Sequence, residues 1–210
     1  MNPKNQLLIL SIIIMIIAMI NIGIVILKFY DFREKITGYA TDYGYVNITI
    51  NPTIALNLTR DIIDWGPGEI NSGQLNATLY TDSDNNGTVL RGNWSGENAK
   101  ALILENIGSI NCSVKIKTDK DAHDFFNSST STNEQYMLNV TQINDSCSGG
   151  DYPLGQWQDV NLTGAKYCNH FNFQSLKNKI YIDVLLTVPR DANNFGGLID
   201  FITIIGDFPI

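Results

Sequence analysis

The chain opens with one unbroken apolar run and continues in short alternating stretches. Residues 7–27 contain 21 residues and no charge. In a helix, about 1.5 Å of rise per residue makes this run as long as the roughly 30 Å hydrocarbon core of a bilayer. The pattern therefore predicts a transmembrane helix that extends to about residue 35, after a short tail at residues 1–6. A signal peptide has an apolar core of only about 7–15 residues, so a retained anchor is favoured.

Beyond the helix, apolar and polar residues alternate over short distances, and turn-forming Gly, Pro, Asn and Asp separate the stretches. Residues 119–133 begin as a short helix and end as a polar loop. The spacing predicts a mainly β domain over residues 36–210, built as an antiparallel, jelly-roll-like β-sandwich. Strands are predicted at 44–50, 53–58, 74–81, 88–94, 101–106, 110–118, 134–140, 157–162, 179–188 and 198–205.

Two features suggest contact with other copies of the chain. The segment 198–205 is apolar on both strand phases, which fits either a central strand or a strand with one face against another molecule. In the helix, small and polar residues fall on one side, where a neighbouring helix can approach, although isolated polar residues also occur near the ends of single spans. The candidate assembly residues are Leu198, Phe201, Ile202 and Ile204 in the strand and Ser11, Ala18 and Asn21 in the helix.

N-glycosylation sequons are more frequent than composition explains. With 24 Asn and 27 Ser plus Thr among 210 residues, random order gives about three Asn-X-Ser/Thr sites, whereas ten are present. In the predicted strands they take the solvent phase: Asn57, for example, opposes Leu56 and Leu58. The alternative is an Asn-rich chain in which strands favour Thr. The predicted acceptors are Asn47, Asn57, Asn76, Asn86, Asn93, Asn111, Asn127, Asn139, Asn144 and Asn161.

The sequons also decide the orientation. Lys28, Arg33 and Lys35 on the carboxyl side of the helix outnumber Lys4 on the other side, which by itself puts the domain in the cytoplasm. Sugar is attached only to exported domains, so we expect a cytoplasmic amino terminus and an extracellular glycoprotein domain at the cell membrane or cell surface.

Three cysteines give a weaker indication of the same location. Cys147 and Cys168 lie in polar, Gly-containing surroundings and are predicted to form a disulfide, which contributes on the order of 3 kcal/mol. Cys112 takes the inward phase of its strand. A buried free thiol is favoured there, and a bond to another molecule is the alternative.

Candidate chemistry is sparse. Asp82, Asp84 and Asn86 precede Gly87 in the order of a calcium-binding loop, but the closing Glu is missing, and a hairpin with its turn at Asn86 and Gly87 explains the same residues. Calcium is the only cofactor this pattern indicates. His123 and His170 belong to different segments, and no nucleophile or zinc motif is present, so no enzymatic activity is expected.

Charge excludes one class of partner. Residues 36–210 carry ten Lys and Arg against nineteen Asp and Glu. This acidic domain repels phosphate, so nucleic-acid binding is not expected.

The stretches "GEINSG", "ATLYT", "LILENIGSINCSVKI" and "DKDA" resemble the exported β-sandwich proteins of the camelysin and TasA type, and archaeal thread and pilin-associated surface proteins. In those proteins a strand pair meets at a turn like the one at Asn106, Gly108 and Ser109. The resemblance covers about residues 45–120. It implies a jelly-roll fold and self-assembly into surface filaments by strand exchange.

The expected function is therefore that of a membrane-anchored, N-glycosylated structural protein in a surface filament or envelope assembly. Two alternatives remain. The chain also resembles type IV pilins in architecture, whose apolar helix forms the filament core, and the acidic loop fits a calcium-dependent extracellular adhesion module.

Overall fold

The structure is a computed structural model that describes residues 3–36, 51–128, 133–192 and 197–209. The chain divides into two compact units, Met1–Thr49 and Ile50–Ile210. The predicted strand at 44–50, its sequon at Asn47 and the polar end of the 119–133 loop lie wholly or partly outside the described residues.

The first unit contains helix α1, Pro3–Ile36. Its segment Lys4–Lys28 has a mean hydropathy of 3.0 and is not buried inside the protein. By length and composition this is the one helix in the described chain able to cross a membrane. Many of its residues are β-branched and favour helix only weakly in water, whereas in lipid a helix satisfies every backbone polar group internally.

The second unit is mainly β, as predicted, and contains eleven strands and one short helix among its described residues. The strands are β1 (Leu56–Arg60), β2 (Asn76–Asp82), β3 (Asn85–Leu90), β4 (Leu102–Asn106), β5 (Cys112–Thr118), β6 (Gln135–Gln142), β7 (Cys147–Ser148), β8 (Gln158–Asp159), β9 (Ala165–Phe171), β10 (Lys179–Pro189) and β11 (Ile202–Asp207). Helix α2 (Ala122–Phe126) starts at Asp121, whose carboxylate accepts a hydrogen bond from the Asp124 backbone N–H, the usual device of a helix N-cap.

Strand β10 organises a seven-stranded antiparallel sheet. Along one edge it pairs with β6, which pairs with β8. Along the other edge it pairs first with β4 and then with β2, which pair with β1 and β3 respectively. Its predicted alternation is present: Ile180, Ile182, Val184 and Leu186 are buried, although Val188 is only half-buried.

The second sheet has four antiparallel strands in the order β11-β5-β9-β7. Residues from both sheets belong to one cluster of buried side chains, including Leu104 and Ile182 from the larger sheet and Val114 and Tyr167 from the smaller. At Gly206 on β11, a Cβ atom would lie 2.8 Å from the Leu56 side chain. A larger residue there would require the Leu56 side chain to shift, so β1 packs closely over β11 at this glycine.

Strands β7 and β9 were not predicted. The sequence of β9, "AKYCNHF", has no clear alternation, because Tyr167 and Cys168 are adjacent and both are buried. The pairing of β5 with β9 shifts register at Val114, which explains this irregularity. Strand β11 also begins at Ile202, four residues later than predicted.

Candidate functional site

The predicted disulfide is present in the smaller sheet. Cys147 on β7 and Cys168 on β9 are bonded, with their Cα atoms 5.5 Å apart. Cys112 is a buried free thiol, and burial raises its pKa to about 11. A thiol with so high a pKa is protonated at neutral pH and is a poor nucleophile.

The centre of the larger sheet contains a buried polar group that the sequence did not reveal. Where β10 changes neighbour from β4 to β2, the Asp183 carboxylate accepts hydrogen bonds from the Thr81 hydroxyl at 2.9 Å and the Ser83 backbone N–H at 2.7 Å. The Thr81 hydroxyl in turn accepts one from the Val184 backbone N–H at 2.9 Å. Burial raises the pKa of Asp183 despite these bonds. The carboxylate thereby joins β10 to the end of β2 and the turn that follows it, which is a structural role.

The Arg60 side chain holds the turn of the hairpin between β2 and β3. Arg60 donates to the backbone carbonyls of Ser83 and Ala101 at 3.3 and 2.9 Å and to the Asp84 carboxylate at 2.6 Å. The Tyr181 hydroxyl also donates to Asp84. These two hydrogen bonds, the one from Tyr181 first, lower the pKa of Asp84.

The candidate calcium ligands Asp82, Asp84 and Asn86 lie in this hairpin. Asp82 pairs with Asn85, so the two-residue turn is Ser83 and Asp84, with Ser83 at φ +50°. The expectation of a turn at Asn86 and Gly87 is wrong, because both residues lie in β3. Of the three candidate ligands, Asp84 is already bound to Arg60 and Tyr181. Residues 3–36, 51–128, 133–192 and 197–209 contain no cluster of three or more acidic, His or Cys side chains suited to a metal ion.

A concave feature lies beside α2. A cavity of about 270 Å³ is lined by Asp121, Ala122, His123, Glu134, Gln135, Tyr136, Asp159 and Val160. The His123 ring lies 3.1 Å from one Glu134 oxygen, and the Ser128 hydroxyl donates to the other at 3.1 Å. Burial acts to raise the pKa of Glu134, but the hydrogen bonds from His123 and Ser128 outweigh it and lower that pKa. These polar groups satisfy one another and form no nucleophile–base arrangement.

The candidate assembly residues on β11 and in the segment just before it fall into two groups. Leu198, Ile202 and Ile204 pack against the chain's own core, whereas Phe201 is 68% exposed. Ile205, which the sequence analysis did not select, is 42% exposed. The phase of the strand separates the two groups, since Ile202 and Ile204 share a face and Phe201 and Ile205 share the opposite phase.

The edge of β11 is also unusual. In the described part of the chain it pairs only with β5, so its other edge has no strand partner there. Exposed apolar side chains on an edge strand are typical of a surface that contacts another molecule.

Known proteins do not add to this description. No protein-family model, curated protein or solved structure matches the chain. The function must therefore be argued from the surfaces of the molecule.

The described sequons are distributed unevenly between the sheets. Four lie within strands of the larger sheet: Asn57, Asn76, Asn86 and Asn139. The strands of the smaller sheet contain none of the nine described. The remaining five lie outside the strands, at Asn93, Asn111, Asn127, Asn144 and Asn161. Asn57, Asn86, Asn93, Asn127 and Asn144 are exposed, and the other four are half-buried.

In α1, the polar candidates bond within their own helix. The Ser11 hydroxyl donates to the Leu8 carbonyl at 2.9 Å, and the Asn21 amide donates to the Ile17 carbonyl at 2.8 Å. Ala18 is exposed, as are Ser11 and Asn21. This face is therefore compatible with a neighbouring helix but does not require one.

Proposed function

We propose that this protein is a membrane-anchored structural protein of the cell surface that assembles with copies of itself into a filament or envelope lattice. The domain is extracellular and N-glycosylated, and it has no catalytic role. The observation that carries this proposal is the edge strand β11: Ile205 on the strand and Phe201 just before it are exposed, and no described strand pairs with its outer edge.

The helix supports the anchored location. A helix that is apolar all round suits a lipid environment better than the surface of a soluble domain. Its apolar segment Lys4–Lys28 has 25 residues, or about 38 Å at 1.5 Å per residue, which is enough to span the roughly 30 Å hydrocarbon core with some tilt. The same apolar helix also fits one second candidate, a pilin-like subunit whose helix enters the core of the filament.

The disulfide and the sequons support an extracellular domain. Disulfides persist mainly in oxidising compartments, and a bridge between two strands of one sheet fits that environment. The two antiparallel sheets and their shared buried cluster support a sandwich of jelly-roll type.

The test uses the full-length chain in uncharged detergent. We expect wild-type protein to form large assemblies that sediment rapidly, and we expect Ile205→Asp to prevent them, because a charge at an apolar contact must be desolvated. Ile205 is preferable to Ile204 for this test, since Ile204 packs against the core and its replacement would also affect folding.

Ile62→Asp is the matched control. Ile62 is 68% exposed and lies just after β1, outside the smaller sheet. It should leave assembly unchanged. A wild-type chain that stays monomeric at high concentration contradicts the proposed function.

A further inference from the structure

The outer face of the smaller sheet contains a pair of like charges. Lys115 on β5 and Lys166 on β9 are directly opposite each other in the strand register. Lys117 lies two residues after Lys115 and therefore on the same face. Like charges directly opposite in an antiparallel pair destabilise the sheet.

Among the described residues, these lysines form no ion pair that would offset the repulsion, although the Asp151 backbone N–H donates to the Lys166 carbonyl at 2.7 Å. Within the described ranges, the side chains of Lys115, Lys117 and Lys166 make no ion pair and no hydrogen bond. By contrast, Lys179 in the larger sheet pairs with Glu105 at 3.6 Å. An anionic surface on another molecule would offset the repulsion between these lysines.

Apolar side chains adjoin the lysines. Ile205 is the β11 partner of Lys115, so Ile205, Lys115 and Lys166 form one row across three strands. Thr203 is likewise the partner of Lys117. Exposed Phe201 lies in phase with Thr203 and Ile205. The described strands of this sheet contain no acceptor Asn, although Asn111 lies just before β5 and the Asn161 carbonyl accepts a hydrogen bond from the Thr118 N–H at the end of β5.

The rest of the domain has the opposite charge. Residues 36–210 contain ten Lys and Arg against nineteen Asp and Glu, and setting these three lysines aside leaves seven against nineteen. A second copy of the chain, anchored in the same membrane, therefore presents an acidic surface to this basic face.

We propose that the lysine-bearing outer face of the smaller sheet is a docking surface for the acidic surface of a second copy of this chain. The proposal rests on the proposed function and names the surface that carries it. Because a basic face and an acidic face are different surfaces, the contact is heterologous, and repeating it produces a growing array rather than a closed pair.

Charge reversal tests the docking surface. In the full-length chain in uncharged detergent, Lys115→Glu should weaken self-association about tenfold, since it removes an attraction and adds a repulsion. The same substitution places Glu opposite Lys166, so the melting temperature should hold or rise. A structural role alone does not predict weaker association together with unchanged or greater stability.

Lys177→Glu is the matched control, because it changes the net charge by the same amount. Lys177 is exposed and lies in the loop between β9 and β10. It should weaken association far less, and added salt should weaken the association of the wild type more than that of Lys115→Glu.

Equal association of the two variants overturns the docking surface while leaving the proposed function intact. If Lys115→Glu affects only binding to vesicles of anionic lipid, the occupant is a membrane, and the proposal is wrong. A monomeric wild type defeats both proposals.

Discussion

The two sheets of the domain differ in how their polar groups are satisfied. In the larger sheet, charged groups bond within the domain, as Asp183 does with Thr81 and Ser83 and Arg60 with Asp84, although the buried Asn139 amide oxygen has no partner among the described residues. In the smaller sheet, Lys115 and Lys166 are opposite each other and form no ion pair with any described residue, and exposed Ile205 lies on the neighbouring edge strand. Polar groups that bond to one another gain little from a partner molecule. Unpaired charges and exposed apolar side chains gain more from one. The difference suggests that one sheet faces solvent and sugar and the other faces a neighbour.

The largest effect on assembly is expected from adding a glycan next to the smaller sheet. Phe201→Asn creates an Asn-Ile-Thr sequon with Thr203, and a glycan there should abolish assembly in a host that glycosylates the chain, because it blocks the contact. Electron microscopy of isolated surface material, with intact-mass measurement of the glycan, checks this outcome.

The larger sheet supplies the control for that experiment. Replacing Asn57, Asn76 and Asn139 by Gln removes three of its sequons and should leave assembly unchanged. Assemblies that persist with sugar at position 201 contradict the division between the sheets.

Loss of the disulfide should cost the most folding stability. Changing both Cys147 and Cys168 to Ser opens a link between residues 21 apart, which should lower the free energy of unfolding by about 3 kcal/mol. Denaturant titration measures the loss. Cys112→Ala removes a thiol without a bridge and should cost clearly less, so equal losses would show that the bridge contributes little.

Removing the buried carboxylate tests the larger sheet. Asp183→Ala leaves the Thr81 hydroxyl and the Ser83 N–H without their acceptor, at a cost of about 2 kcal/mol. Asp183→Asn keeps an oxygen acceptor and removes the charge, so thermal unfolding should show a smaller loss. If both variants lose the same amount, the hydrogen bonds of Asp183 are not what stabilises the contact of β10 with the end of β2.

The smallest effect is expected at Asp84. Its carboxylate is well exposed, so Asp84→Asn should cost only about 0.5 kcal/mol at neutral pH. Since the folded pKa is lowered, the contribution is complete above the ordinary value of 3.8 and is lost as the pH falls through the folded pKa. Wild type and variant should therefore converge in strong acid, measured by thermal unfolding over pH. Asp61→Asn serves as a control and should leave the melting temperature at neutral pH unchanged.

The sequence predicted the features that depend on local pattern. The apolar run gave the helix, and the alternation of Ile180, Ile182 and Val184 gave β10. The inward phase of Cys112 and the pairing of the other two cysteines also followed from local context.

Features that depend on register did not follow from the sequence. The Lys115–Lys166 pair exists only because β5 and β9 are neighbours at one particular offset, and β9 itself was missed. Similarly, Asp183 reads as an outward residue of an alternating strand. It is buried because β10 changes partner beside it, which no local pattern records.

Hydrogen exchange on the full-length chain in vesicles of neutral lipid tests the division between the sheets most directly. Backbone amides are compared at low and high density of protein in the membrane. Protection should increase with density in β11 and β5, where a neighbour docks, and should stay constant in β1 and β3. Protection in β11 that does not change with density, or that increases in β1 and β3 instead, would contradict the assignment of the smaller sheet as the contact surface.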